Sequence, residues 1–149
     1  ISLAVALDTS GSCCGDTMRD FLRELMGILR VSPHLSVTLI QCDAEVQKVH
    51  PLTNEDDVEQ LFHSFEMYGG TDFRPVFRYL KEQRESGEGL PFQGLLYLSD
   101  GFGSFPETAP DYPVAFLFPR EEDCFWSAPE VPEWVTKVNI LEDNTLQIA

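Results

Sequence analysis

The sequence predicts an α/β fold built on a mostly parallel central sheet. Apolar segments of strand length alternate along the chain with segments whose apolar residues recur at helical spacing. The run from Phe92 to Asp100 is apolar until it stops at an acid, which is typical of a central parallel strand covered on both faces. We therefore expect about six strands, with helices on both faces of the sheet and one antiparallel edge strand.

The first half of the chain supplies three strands and a helix. Residues 1–7 form a buried strand, and a helix follows over residues 15–30, where apolar side chains recur every three or four positions. Residues 34–41 form the second strand. Residues 45–52 alternate in polarity and follow so closely that the two segments are expected to pair as an antiparallel hairpin at a sheet edge.

The second half supplies two helices and three strands. Asn54 is the expected N-cap of a helix that carries four apolar side chains on one face: Val58, Leu61, Phe62 and Phe65. After a break at Gly69-Gly70, a third helix runs from Phe73 to near Gly87. The remaining strands are expected over residues 92–100, 112–119 and 134–141.

The whole chain is expected to form one domain. It has 149 residues, of which 43% are hydrophobic, and this is enough to fill a single core. No internal repeat or linker divides residues 1–149, and the tail after Leu141 is too short to place. Because the sequence starts at Ile1 inside an apolar run, we expect a fragment of a longer protein.

The charge of the chain limits its partners. It carries 25 acids against 10 Lys and Arg, a formal net charge of −15. Nucleic acids and anionic membranes need cationic surface, so both are disfavoured. No run approaches the roughly 20 apolar residues of a membrane span. The charge suits cations or a basic protein partner, and solubility alone is the simpler explanation.

The four cysteines do not predict a zinc site. Zinc sites use paired ligands at short spacing, whereas Cys13 and Cys14 are adjacent, and Cys42 and Cys124 are isolated. A domain of this size does not need disulfides. We expect reduced thiols in a cytoplasmic protein.

Three polar clusters fall in loops expected at one edge of the sheet. They are residues 8–12 after the first strand, 69–72 before the third helix and 99–101 after the fourth strand. In open α/β sheets, ligands bind beyond the carboxyl ends of the strands, where the strand order reverses. The clusters offer carboxylates and hydroxyls only, which suit Mg²⁺, Mn²⁺ or Ca²⁺. Two carboxylates, Asp8 and Asp100, with hydroxyls and waters would leave one coordination position open.

The order of these residues resembles a known metal site. Asp8-x-Ser10-x-Ser12, then Thr71 in a Gly-Gly-Thr-Asp loop, then Asp100 in Ser-Asp-Gly resemble the metal-ion-dependent adhesion site (MIDAS) of von Willebrand factor type A (VWA) domains. The resemblance covers nearly all of the chain. Within that family the chain looks like the bacterial VWA-like domain found C-terminal to predicted metallopeptidases.

The resemblance implies a Rossmann-like fold and a protein-binding role. Ser10 and Ser12 would bind the metal through their hydroxyls, and Thr71 directly or through water. Asp8 and Asp100 would hold the metal, its waters and the serine hydroxyls. An acidic side chain of a protein partner would then complete the shell. The chain contains no H-E-x-x-H, so any peptidase activity would belong to a preceding region.

Simpler interpretations exist for the individual residues. Each serine of the first cluster, taken alone, is a helix cap. Asp72 is expected to be the N-cap of the third helix, and Asp43 to start the hairpin turn. Phe102 and Phe105 flank the third cluster, and either fold back onto the core or contact a partner.

Two alternative functions remain. A Mg²⁺-dependent phosphatase would use Asp8 as nucleophile, but its usual second acid is replaced by Ser10. Such an enzyme also needs a lysine near the phosphate, and Lys48, Lys81 and Lys137 do not lie in suitable loops. The second alternative is a structural VWA domain with an inactive metal site.

Overall fold

The computed structural model describes residues 2–9, 16–32, 34–52, 54, 56–58, 60, 71–87, 89, 91–119, 130–141, 143 and 145–148. Its elements are β1 (Ser2–Asp8), α1 (Asp16–Val31), β2 (Ser36–Cys42), β3 (Val46–Leu52), α2 (Arg74–Ser86), β4 (Gly94–Leu98), β5 (Val114–Phe118), β6 (Val135–Ile140) and β7 (Leu146–Ile148). Within these ranges, no helix combines the length and apolar character needed to cross a membrane.

The seven strands form one mixed sheet in the order β3-β2-β1-β4-β5-β6-β7. The pairs β1–β2, β1–β4, β4–β5 and β5–β6 are parallel, while β3 and β7 pair antiparallel at the two edges. The α/β fold and the β2–β3 hairpin are thus confirmed. The sheet has one strand more than expected. All three residues of β7 are exposed, so no buried face marks it in the sequence.

Helices α1 and α2 lie on opposite faces of the sheet, as predicted. Successive side chains of a strand point to opposite faces. Accordingly, Ala4 and Ala6 of β1 join the core beneath α2, whereas Val5 and Leu7 join the core beneath α1. The central strand is therefore buried on both sides, which explains its apolar sequence.

Aromatic rings dominate the core beneath α2. Phe116 of β5 lies against Tyr97 of β4 at 4.7 Å between ring centroids, nearly stacked, and Phe73 meets both rings edge-on. The Tyr97 hydroxyl lies 3.1 Å from the sulfur of Cys42, whose pKa is raised by burial. Cys42 is thus a packed thiol. Cys13, Cys14 and Cys124 lie outside the described residues.

The expected start of the helix after Asn54, which lies between β3 and α2, is confirmed. The backbone N–H of Asp57 donates to Oδ1 of Asn54 (3.1 Å), and Asp57 Oδ2 accepts from the N–H of Asn54 (3.3 Å). This reciprocal pair is a capping box, and Val58 behind it is buried. Leu61, Phe62, Phe65 and the Gly69-Gly70 break lie outside the described residues.

Phe116→Ala should lower the free energy of unfolding by about 3–5 kcal/mol, because it opens a cavity in the middle of the aromatic core. Urea denaturation followed by circular dichroism measures the change. Val31→Ala is the control: this side chain is 78% exposed at the end of α1, and we expect a change within about 0.5 kcal/mol. Equal effects would contradict the assigned packing.

Candidate functional site

The strand order reverses between β1 and β4. From β1 the chain moves to β2 on one side, and it later returns to the other side of β1 as β4. Since both pairings are parallel, the carboxyl ends of the three strands share one edge. A crevice at such a reversal is the usual ligand site of open α/β sheets. Asp8 ends β1 at this crevice, and Ser99 and Asp100 follow β4 there.

A buried hydrogen bond joins the two strand ends. Ser99 Oγ donates to Asp8 Oδ2 at 2.6 Å, a length typical of a hydroxyl donating to a carboxylate. The N–H of Gly101 in turn donates to Ser99 Oγ (3.2 Å). Asp8 and Ser99 are at most 1% exposed. The sequence placed Ser99 in a polar cluster without a role, and the structure shows that it positions Asp8.

Asp100 is held by a tight turn. Its Oδ1 accepts the N–H of Phe102 at 3.0 Å, and Gly101 between them adopts φ +83°, a conformation that favours glycine. Phe102 is 38% exposed beside this turn. Phe105, by contrast, folds back onto the core against Phe73 and Phe116. The two aromatics of this loop therefore have different environments.

The Thr71 segment lies at the same edge of the sheet, where it precedes a helix instead of following a strand. The N–H of Asp72 donates to the carbonyl of Asp43 at the end of β2 (3.3 Å), and the N–H of Phe73 donates to the carbonyl of Ser104 (3.0 Å). A Cβ on Gly103 would stand 2.9 Å from Cγ2 of Thr71. The Thr71 segment thus packs directly on the loop that carries Asp100.

The prediction that Asp72 is the N-cap of the third predicted helix, which is α2, is wrong, because Asp72 lies one residue before the N-cap. The N-cap of α2 is Phe73, whose ring is buried in the core. Asp72 Oδ1 instead accepts the N–H of Arg74 (3.0 Å), and both carboxylate oxygens pair with the Arg74 guanidinium at 2.9 Å. These hydrogen bonds lower the pKa of Asp72. Its carboxylate is therefore occupied by Arg74.

Asp43 and Thr9 fasten the neighbouring loops. Asp43 Oδ1 accepts the N–H of Glu45 (2.9 Å) and the side-chain amide of Gln47 (3.0 Å), so Asp43 starts the hairpin turn as expected. Thr9 donates to the carbonyl of Cys42 through both its N–H (2.8 Å) and its hydroxyl (3.1 Å). These contacts hold the chain just after β1 against the end of β2.

The described donors suit a hard cation. Asp8, Thr71 and Asp100 offer only oxygen, the ligand type of Mg²⁺ and Ca²⁺. Among the described residues, no group of three or more His, Cys, Asp or Glu could hold a metal. The expected site is not such a group, because it consists of two carboxylates and several hydroxyls. Ser10 and Ser12, which would complete it, lie outside the described residues.

Ser99→Ala should lower the free energy of unfolding by about 1–3 kcal/mol, because Asp8 and Gly101 would lose a buried partner. Chemical denaturation gives the value. The matched control is Ser86→Ala, where an exposed hydroxyl bonds Gln83 at the end of α2. We expect that change to stay within about 0.5 kcal/mol. A Ser99 variant as stable as the control would contradict the positioning role.

Gly103→Ala should destabilise the protein by about 1–3 kcal/mol, since the added methyl would meet the rigid ring of Phe73 and the methyl of Thr71. Gly27→Ala in α1 meets nothing within 4 Å and should stabilise by up to about 1 kcal/mol. Thermal unfolding of both variants measures the difference. Shifts in the same direction would show that the Thr71 contact is loose.

Comparisons with known proteins agree with this fold. The family model described as VWA-like domain (DUF2201) matches residues 3–140. No curated protein matches the sequence. The chain is similar to the crystal structure of an aerotolerance-related membrane protein from Bacteroides fragilis, with a TM-score of 0.64 and 12% identity, covering 100% of this chain and 81% of that one.

Two further crystal structures are similar. The conserved hypothetical protein BatB from Bacteroides thetaiotaomicron has a TM-score of 0.60 and 12% identity, covering 80% of this chain and 66% of that one. The vWF domain of the type V pili tip protein Mfa5 from Porphyromonas gingivalis has 0.50 and 13%, covering 74% and 42%. The chain thus spans less than two thirds of either protein. At these identities the structures show the fold, and the family match shows that the chain belongs to the VWA-like domain family DUF2201.

Proposed function

We propose that this domain is a divalent-cation-dependent protein-binding module of the MIDAS type. The observation that supports it most is the position of Asp8 and Asp100 at the strand-order reversal, with the Thr71 segment packed on the loop of Asp100. VWA-like domains generally mediate protein interactions, and this supports a binding role for the domain. The cation would be Mg²⁺, or Mn²⁺ or Ca²⁺.

The residues of the site would have different roles in binding the cation. Asp8, fixed by Ser99, and Asp100, fixed by its own turn, would supply the negative charge. Thr71, Ser10 and Ser12 would supply hydroxyl oxygens. A bound cation would provide a positive centre with one position left for an acidic side chain of the partner.

The local charge has to favour such a partner despite the net charge of −15. Two carboxylates balance one divalent cation, so the loaded site would no longer repel an incoming acid by itself. The guanidinium of Arg74 also covers the neighbouring Asp72 carboxylate. The carboxylates of Asp8, Asp100 and Asp72 would then each have a positive partner.

Binding is favoured over phosphatase chemistry. Asp8 is 1% exposed and bonded to Ser99, which suits a positioning role better than nucleophilic attack. The three lysines lie within regular elements, Lys48 in β3, Lys81 in α2 and Lys137 in β6, and none is in a loop of the crevice.

We also propose a context for the domain. Its resemblance to the bacterial VWA-like domain associated with metallopeptidases suggests a cytoplasmic protein of that type, with this domain at its C-terminal end. An H-E-x-x-H segment in the preceding part of the full protein would support this context. A different neighbouring domain would remove it and leave the metal proposal unaffected.

Mg²⁺ and Mn²⁺ should bind the wild-type domain at millimolar concentration or below, and Asp8→Asn and Asp100→Asn should each weaken binding by at least about tenfold. Asparagine keeps an oxygen for Ser99 or Phe102 but loses the charge, so the local geometry is preserved. Isothermal titration measures the affinities. Asp111→Asn is the control, because this exposed acid lies before β5 at the opposite edge of the sheet.

Absence of metal binding to the wild type would overturn the metal site, and equal binding by all variants would place it elsewhere. Hydrolysis of an aryl phosphate that is lost in Asp8→Asn would instead establish the phosphatase. Circular dichroism of each variant checks that the fold is intact.

A further inference from the structure

A groove of about 650 Å³ runs along α2, outside the candidate metal site. One wall is α2, and the other is the segment from Pro106 to Tyr112, which connects the Asp100 loop to β5. Pro106 and Pro110 give it apolar surface, together with the exposed edges of Phe77 and Tyr112, which are 7% and 8% exposed. Burial raises the pKa of the Tyr112 phenol to about 12.

The groove concentrates positive charge in an acidic chain. Four of the ten basic residues of the protein line it, all from α2: Arg74, Arg78, Lys81 and Arg84. Among the described residues, only two acids, Glu85 and Asp111, share the lining. The chain as a whole, with a net charge of −15, would repel acidic ligands. A basic concave surface on such a chain therefore marks the place where an acidic ligand could bind.

Two of the four cations have structural partners. Arg84 donates to Asp111 (3.1 Å) and to the carbonyl of Phe92 (3.1 Å), and its guanidinium lies over the rings of Phe92 and Tyr112. Arg74 binds Asp72 with two hydrogen bonds. Because the charges of Arg74 and Arg84 are paired with carboxylates, the unpaired positive charge of the groove comes from the other two residues.

Arg78 and Lys81 are the cations available to a ligand. In the described part of the chain, neither makes an ion pair or a hydrogen bond, although the charge of Arg78 helps to lower the pKa of Asp72. They lie three residues apart on the face of α2 that also carries Arg74. Side chains at this spacing are neighbours on a helix, with about 5–6 Å between their Cβ atoms.

This row of charges fits an extended peptide better than a single phosphate. Alternate side chains of an extended chain lie on one face about 6.6–6.8 Å apart, within reach of neighbouring long cations on a helix. Arg78 and Lys81 lie inside α2, where the backbone N–H groups bond within the helix, so a phosphate here would lack the converging N–H donors of a helix N-terminus. The apolar surfaces of Phe77 and Tyr112 would meet the intervening part of the peptide.

We propose that this groove binds an acidic segment of a protein partner in extended conformation, independently of any metal. Arg78 and Lys81 pair with carboxylates at alternate positions of the segment, while its apolar atoms contact Phe77 and Tyr112. The site goes beyond the proposed metal-dependent function because it uses different residues and no metal ion. The two adjoin, since α2 begins three residues after Thr71.

Fluorescence anisotropy with a labelled acetyl-Glu-Leu-Glu-Leu-Glu-amide peptide in EDTA tests the proposal. The wild-type domain should bind this peptide, and Arg78→Gln with Lys81→Gln should weaken binding at least about tenfold. The control double variant, Arg19→Gln with Lys48→Gln, removes the same charge from exposed sites on α1 and β3 and should bind like the wild type. The Gln-Leu-Gln-Leu-Gln peptide should bind at least about tenfold more weakly.

Absence of binding by the wild type, or equal losses in the two double variants, would overturn the groove. Displacement of the peptide by pyrophosphate at a lower concentration than by unlabelled peptide would make a small phosphorylated anion the ligand instead. EDTA separates this result from the metal proposal. Peptide binding that survives both EDTA and Asp100→Asn belongs to the groove, and failure here leaves the metal titration unchanged.

Discussion

The parallel pairing of β1 with β4 is the constraint on which the candidate site depends. It brings two strand ends that are distant in sequence to the same edge, at the only reversal of strand order within the described sheet. The hydrogen bond from Ser99 to Asp8 then fixes the relative position of the two ends. Because both groups are buried, the bond is shielded from water and leaves the Asp8 carboxylate little freedom to move.

The aromatic core also positions the Thr71 segment. Phe73 packs beneath α2 against Tyr97 and Phe116, so the start of the helix has a fixed depth. Thr71, two residues earlier, is held against Gly103, where no side chain separates the two loops. The positions of the candidate donors therefore follow from core packing as much as from the loops that carry them.

The distribution of charge gives the surface two distinct regions. At the edge of the sheet, the buried acids Asp8 and Asp100 would bind a cation in the function proposed here. Beside it, α2 gathers four cations into a groove, and Arg78 and Lys81 make no ion pair within the described residues. A protein partner that carries acidic side chains could contact both regions. Salt would weaken such an interaction, since much of it is electrostatic.

Apart from β7, the sequence by itself determined the order of the described helices and strands, because local periodicity reports which face of each element is buried. It also located Asp8 and Asp100 at strand ends. Their role as metal ligands, together with that of Ser10 and Ser12, remains a prediction. β7 was missed because its pairing relies on backbone hydrogen bonds to β6, which leave no apolar pattern.

Only the tertiary structure decided the strand order, the contact between Ser99 and Asp8, and the second wall of the basic groove. These features join segments far apart in the chain, such as Lys81 and Tyr112. Local propensity carries no information about such pairings. They arise when the strands find their register and the helices cover the two faces of the sheet.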